Sequence, residues 1–409
     1  MKRKYFPINP GFLMSMAAAI DSRTAEAASR STPGRIAQVD IVGDFGSAER
    51  VWRNLEMSGQ LLSAYQRLDF LLCWQHDVGA RDGATPLIVI AYDAERRPLL
   101  LLPLALKQIH GFRVASFMGG KHTTFNMALW DRDFAAAAKR ADINILIGEL
   151  RQRYAADVLA LSQQPRRWND VDNPLASLTH QPSVNDCPVL NMEPGAPPQA
   201  LVSNSLRRRL KAKERKLSNL AGYRYYVATD DADIARLLEW FFRVKPARME
   251  QQRLPNVFAE AGVADFIRRS CLARRPGGDR LIDIHALECD EEIIALYAGV
   301  ADGHRFSMMF NSYTLSDHSR SSPGLLLIRN IIDHYAARGY GALDLGVGSD
   351  SYKRLFCKRD EPIFDSFIPL SARGQLAAAA MSAVARAKHV VKHNQALLRL
   401  AEGLRKTLR

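Results

Sequence analysis

The stretch SSPGLLLIRNIIDHYAARGYGALDLG, residues 321–346, decides the fold. Leu325, Ile328, Ile331, Ile332 and Tyr335 recur at helical spacing, and Gly339-Tyr340-Gly341 separates them from a short β-rich run at 342–345. Serine suits a helix cap and proline the first helical position, so Ser322 and Pro323 predict a sharp helix start. The residues before it, 304–311, read as a strand. Strand, loop, small-residue helix start and returning strand together suit an anion, because free backbone N–H groups and the positive end of the helix dipole face it. Gly324 lets such an anion approach the backbone closely. Taken alone, the same letters also fit a well-capped surface helix.

Upstream, runs at 281–288, 293–300 and 304–310 are separated by turns at Asp290-Glu291 and Asp302-Gly303, which predicts an antiparallel meander. The layout occurs a second time at 86–92, 98–107 and 112–118, with turns at 93–97 and His110-Gly111. Gly111-Phe-Arg and Gly303-His-Arg keep the turn glycine and an arginine two residues on, so the chain reads as a long-period duplication. Two helices are expected across 48–74, with Gly59 as the break, and another at 232–242 ending in the polar stretch 243–253. A Pro- and Asn-rich passage at 174–198 marks the boundary between the halves.

The formal charge of +13 is unevenly placed. Residues 206–220 carry seven basic side chains against Glu214, a net +6, and residues 371–409 carry eight against Glu402, a net +7. These two segments hold the whole excess, so the rest of the chain is near neutral. The first is amphipathic through Leu206, Leu210, Leu217 and Leu220; the second, over 377–408, is a long helical pattern. Five scattered cysteines without a C-x-x-C pair suggest neither a disulfide framework nor a zinc cage. His389 and His393 share a helical face but have no third ligand, so no metal is expected. The longest apolar run, 98–106, is strand-sized, and a cytoplasmic protein is expected. Lys2, Arg3 and Lys4 before an apolar stretch imitate a signal peptide, but Asn9, Pro10 and Ser15 break it.

Ser322-Pro323-Gly324 with its helix, Gly339-Tyr340, Leu343-Asp344-Leu345-Gly346 and Ser349-Asp350-Ser351-Tyr352-Lys353-Arg354-Leu355-Phe356 resemble the signature of the CelD-type acetyltransferases. That family is a branch of the GNAT superfamily, related to the FemAB aminoacyl transferases and associated by name with cellulose and exopolysaccharide loci. Trp52, Phe70, Trp74 and the segment 119–126 agree with it in the first half, so the resemblance spans roughly residues 37–370. It implies an α/β (α+β) fold of two tandem GNAT-like domains, each a mixed, mainly antiparallel sheet flanked by helices, plus a C-terminal helical tail. The expected division is an arm at 1–36, a first GNAT-like domain at 37–190, a linker and basic helix at 191–230, a second GNAT-like domain with the acyl-donor site at 231–370, and a basic helical tail at 371–409. One departure stands out. GNAT enzymes show Arg/Gln-x-x-Gly-x-Gly/Ala at this helix, whereas Arg320-Ser-Ser-Pro-Gly-Leu places proline at the first glycine and leucine at the last.

The resemblance implies acyl transfer from acetyl-CoA or another acyl-CoA to an amine or hydroxyl on a small-molecule or glycan acceptor. An alkyl ammonium with a pKa of about 10.4 must lose a proton first, at a cost of about 4.6 kcal/mol at pH 7. The departing thiolate then needs a proton donor, for which Tyr352 is the candidate, with Asp344 or Asp350 holding the base or a water. His122 after the Gly119-Gly120 turn is a second candidate base. Ser322, Pro323, Gly324, Leu325 and Lys353 are the donor-binding candidates; Lys121, Asn126, Arg248, Asn311 and Tyr313 are placed to line an acceptor cleft. The basic tail is compatible with weak peripheral contact at an anionic inner membrane. Nucleic acid is not expected, since neither basic segment interleaves aromatic residues. Two rivals remain: an aminoacyl transferase using tRNA, with the helix at Arg207 as its contact, and a non-catalytic accessory protein.

Overall fold

The computed structural model describes residues 35–394 except Ser58, Tyr154, Ala155, Pro194, Ala196 and Ser349, with the backbone alone for Pro198 and Gln199. The arm at 1–34 and the last part of the expected tail helix, 395–408, lie outside the described residues.

The first half runs β1 (Gln38–Val42), α1 (Phe45–Leu55), α2 (Leu68–Trp74), β2 (Thr85–Tyr92), β3 (Pro98–Ile109), β4 (Phe112–Phe117), α3 (Arg140–Arg153), β5 (Val158–Pro165) and β6 (Cys187–Asn191). The second half follows with α4 (Asn204–Leu217), β7 (Arg224–Val227), α5 (Asp231–Gln251), α6 (Val263–Leu272), β8 (Asp283–Glu288), β9 (Ile293–Ala301) and β10 (Arg305–Tyr313). Then come α7 (Pro323–Ala336), β11 (Ala342–Asp344), a one-turn helix Lys353–Phe356, β12 (Arg359–Glu361), β13 (Ile363–Pro369) and α8 (Ala372–His393). Strand, two helices, three-stranded meander, helix and strand thus occur twice, as the duplicated pattern predicts. Gly111 and Gly303 both close the second turn of their meanders at positive φ, 81° and 94°, which a side chain would strain.

The first sheet has the order β1-β2-β3-β4-β5-β13 with Gln181–Pro182 at its edge, and the second the order β7-β8-β9-β10-β11-β6-β12. The expected domain limits at 190 and 370 therefore need correction. β6, from the first half, pairs with β11 and β12 in the second sheet; β13, from the second half, pairs antiparallel with β5 in the first. Each exchanged strand is followed by one of the two basic helices, α4 after β6 and α8 after β13.

Between the halves the core is continuous. Phe70 on α2 packs edge-on against Phe266 on α6, with ring centroids 5.4 Å apart. Arg269 Nε donates to the buried Asp77 carboxylate at 2.7 Å. Gly262 sits so close that a Cβ would lie 1.8 Å from the Asp77 carbonyl oxygen, so only glycine fits there.

Several boundaries differ from the expectation. The second helix of 48–74 begins at Leu68, because 61–67 form an isolated bridge and a 3-10 turn. The polar stretch 243–251 continues α5 despite Pro246, since Val244 and Met249 bury against the core. All five cysteines are free and buried. Among the described residues no helix is long and apolar enough to cross a membrane.

Because β13 completes the first sheet from the far end of the chain, Phe364→Ala, at a position 1% exposed, should cost about 3–5 kcal/mol. Denaturant unfolding with hydrogen exchange checks this: protection should fall in β5, about 200 residues upstream. Protection lost only within residues 342–369 would contradict the exchange.

Candidate active site

β10 and β11 run parallel and pair only through Arg305↔Ala342, Phe306↔Leu343 and Ser307↔Asp344; beyond that they part. On its other side β10 slips register against β9 between Ala298 and Gly299, leaving Met309 as the extra residue of a bulge. The parting point is pinned by Asp344. Its carboxylate accepts from Ser307 Oγ at 2.5 Å and from the Gly346 N–H at 3.0 Å. Burial pushes the Asp344 pKa up to about 6, although Arg305 and these two donors pull it the other way. The loop after β11 is held by Lys353, whose ammonium is buried and donates to the Gly346 and Val347 carbonyls at 3.0 and 2.9 Å.

Two cavities open at this divergence. One, of about 550 Å³, lies at the start of α7 between Ser322, Gly324 and Leu325 and the α5 side chains Lys245 and Arg248, with Tyr297 and Tyr313 as walls. The other, of about 340 Å³, lies between the halves: Tyr65, Lys121, His122 and Thr124 face Met309, Gly346 and Lys353. Asn311, Asp350 and Tyr352 line both.

At the first cavity the expected serine cap does not form. Ser322 adopts the left-handed region at φ 54°, makes no side-chain cap bond, and its hydroxyl instead accepts from Lys213 of α4 at 2.5 Å. Pro323 has no N–H, and the Gly324 N–H has no partner among the described residues. A Cβ at Gly324 would meet Tyr313 and Tyr297 at 3.6 and 3.7 Å, ordinary contact, so packing does not demand glycine there. Opposite, the Arg248 guanidinium stacks 3.3 Å from the Tyr313 ring centroid. Burial, with Arg248 nearby, lowers the Lys245 pKa to about 8. Neither cation forms an ion pair among the described residues: Arg248 also donates to the Thr314 carbonyl at 3.4 Å, and Lys245 lies over the Phe258 ring. The first half has no such opening: at the start of α3, the buried Asp142 carboxylate already accepts from the Lys139 and Arg35 N–H groups.

At the junction, Tyr352 lines the cavity beside Tyr297 and Asn311, and burial pushes its pKa up to about 12. Asp350 is exposed, 3.7 Å from the Lys353 ammonium. In the second cavity the Trp74 Nε1–H donates to His122 Nδ1 at 3.2 Å. Indole nitrogen only donates, so a neutral His122 carries its proton on Nε2. Burial and Lys121 lower its pKa, keeping it neutral. His122 is thus a donor in this geometry, against the expected base.

Other expected roles shift too. Lys353, expected with Ser322 to Leu325, lines the second cavity instead, its charge engaged by carbonyls. Arg248 and Tyr313, expected in an acceptor cleft, line the cavity at the start of α7. Asp344 touches neither cavity. Asn126 is buried and engaged by Thr123 Oγ1 at 2.8 Å and the Ser162 carbonyl at 3.2 Å. Lys121 pairs with Glu260 at the cavity edge. Lys245, Tyr297 and Tyr65 went unread; only Lys245 carried a signal, a helical lysine whose i±3 and i±4 neighbours include no acid.

Residues 204–354 match the family model described as acetyltransferase (GNAT) domain. No curated protein matches the chain. Among solved structures, FemX superposes with a TM-score of 0.53 at 8% identity, covering 80% of this chain and 96% of that one. The C-terminal domain of a putative lysylphosphatidylglycerol synthetase from Agrobacterium fabrum gives 0.49 at 12% identity, covering 83% and 96%. A tandem GNAT protein from the clavulanic acid biosynthesis pathway gives 0.40 at 10% identity, covering 82% and 99%. The fold is that of two GNAT-like units in tandem, and the region carrying both cavities of the second unit matches a GNAT acetyltransferase domain.

Proposed function

We propose that the chain transfers an acyl group from an acyl-CoA, acetyl-CoA being the simplest, to an amine or hydroxyl on a small-molecule or glycan acceptor. The observation that carries this is the pair of cavities meeting at Asn311, Asp350 and Tyr352, where two parallel strands part. A donor bound from one side and an acceptor from the other would react only there.

The residues at α7 fit a phosphorylated donor. The helix start offers the open Gly324 N–H, and Lys245 and Arg248 supply the positive charge that Pro323 cannot add as an N–H. Tyr352 keeps its proton throughout the working pH range. Full transfer to a thiolate whose conjugate acid has a pKa of about 8.5 would run uphill by roughly 5 kcal/mol. The phenol therefore acts by hydrogen-bonding the developing negative charge on sulfur. Asp350, at the junction, draws an ammonium acceptor and orients the water that takes its proton. Asp344 is a positioning residue: it ties β10 to β11 at the last paired residue.

A second reading has one observation behind it. Arg208, Arg209, Lys211, Arg215 and Lys216 of α4 are exposed, and Lys213 of the same helix touches Ser322 at the donor cavity. A polyanionic donor such as aminoacyl-tRNA would use this row. The link to cellulose or exopolysaccharide rests on the sequence resemblance alone, and a cytoplasmic setting on the strand-sized apolar runs and scattered cysteines.

Calorimetry with acetyl-CoA tests the donor. Gly324→Asp should fold, because the Cβ has room and a carboxylate suits a helix start, yet lose donor affinity at least about tenfold by occupying the anion site. Unchanged affinity in a folded variant removes the donor assignment; a donor site preferring aminoacyl-tRNA supports the second reading. Tyr352→Phe should cut turnover about tenfold to a hundredfold with donor affinity kept, and a full rate across the pH range would exclude Tyr352. Asp344 has a folded pKa above its unfolded value, so its contribution is present below about pH 4 and lost as pH rises through about 6. The thermal stability of Asp344→Asn relative to the parent should therefore climb between those values and then level off; a flat difference would mean the carboxyl is not perturbed.

A further inference from the structure

The outer face of α8 is apolar where a lone surface helix should be polar. Leu376, Val384 and Val390 are 76%, 53% and 54% exposed, and Ala380, Ala383 and Ala387 continue the stripe between them. Arg373, Arg386, Lys388 and Lys392 flank it, and the helix holds no Asp or Glu. Arg373, Arg386 and Lys392 donate to neutral oxygens of Gly111, Gln181 and Asn185, and none of the three forms an ion pair among the described residues, although the Asp157 carboxylate feels the charge of Arg373.

Beneath the same helix lies a third cavity of about 490 Å³. It exists because β4 and β5, the counterparts of β10 and β11, part after Ser116↔Ala160. Val114, Phe117, Phe367 and Met381 supply most of its apolar wall, and Ser116, Asn126, Gln163 and Asp365 supply polar groups beside them. Its mouth is at Val384, Lys388 and Ile109, itself 36% exposed, so the apolar stripe and the opening share one surface. Lys121, itself exposed, lines both this cavity and the one between the halves.

We propose that this face docks on an anionic phospholipid bilayer and that the cavity takes the apolar chain of an amphiphile drawn from it. Charge selects this occupant over two others. A second copy apposing α8 to α8 would bring cations onto cations. Residues 395–409 carry Arg399, Arg405, Lys406 and Arg409 against Glu402 alone, so they too would meet like charge. An anionic bilayer offers negative headgroups to the flanks and an apolar interior to the stripe. A chain held in the cavity leaves its polar head toward Lys121, at the edge of the site between the halves. The docking itself stands independently of the acyl-transfer reading.

The test uses the full chain with phosphatidylcholine vesicles, with and without phosphatidylglycerol, and a fluorophore-labelled fatty acid as the chain probe. Flotation should require phosphatidylglycerol and weaken at high salt. Lys388→Glu should lower partitioning by at least about fivefold, and Leu376→Asp with Val390→Asp should abolish it; all three positions are exposed, so the fold is spared. Val384→Trp keeps the stripe apolar but blocks the mouth, so vesicle binding should persist while the fatty-acid signal is lost. Absence of flotation, flotation indifferent to the Asp pair, or a concentration-dependent dimer that the Asp pair dissolves would each overturn the proposal. A fatty acid that binds Val384→Trp as well as the parent would overturn the cavity assignment.

Discussion

The reciprocal exchange of β6 and β13 is the constraint on which the rest depends. A strand contributes to a sheet through its backbone hydrogen bonds along a whole edge, so two units that each complete the other's sheet cannot separate without exposing both edges. The relative placement of the halves becomes as fixed as a sheet register. That matters for the cavity between them, whose walls come from Tyr65 and His122 on one side and Met309 and Gly346 on the other. A hinged pair of domains would offer only a variable gap there.

Within this frame the second unit is shaped by a few polar contacts in an apolar setting. Asp344 accepts two hydrogen bonds at the last paired residues of β10 and β11, and Lys353 anchors the loop beyond. Buried polar groups are costly unless satisfied, so these contacts hold one geometry. The strands part where the ladder stops, and the space between them reaches the two cavities from opposite sides.

The duplicated units are not equivalent. In the first, the Asp142 carboxylate near the start of α3 is taken up by the Lys139 and Arg35 N–H groups; in the second, the start of α7 opens on a cavity, with Ser322 in a strained left-handed conformation and Lys245 and Arg248 across the gap. The cavity under α8 shows the first unit using the same strand divergence differently, with apolar side chains such as Val114 and Phe367 beside polar ones such as Gln163 and Asp365.

Local rules were enough for much of this. Apolar runs such as 87–92 and 99–105, buried within β2 and β3, announced the meanders, and the turn glycines at 111 and 303 announced their duplication. Helical spacing from Leu325 to Tyr335 located α7, and with it Gly324, Asn311 and Tyr352 near one another. What the letters could not reveal were pairings set by distant partners. Nothing in 187–191 or 363–369 names the sheet it joins, because edge hydrogen bonds are made by backbone common to every sequence. Side-chain roles at the site escaped for a related reason. A histidine becomes a donor because Trp74, 48 residues upstream, supplies a proton to its other nitrogen. Lys353 is kept from the cavity at the start of α7 because carbonyls lie within its reach, and Lys245 lines that cavity because α5 continues through Pro246. Chain order fixed which elements form; tertiary packing alone decided which of their polar atoms were left open to a ligand.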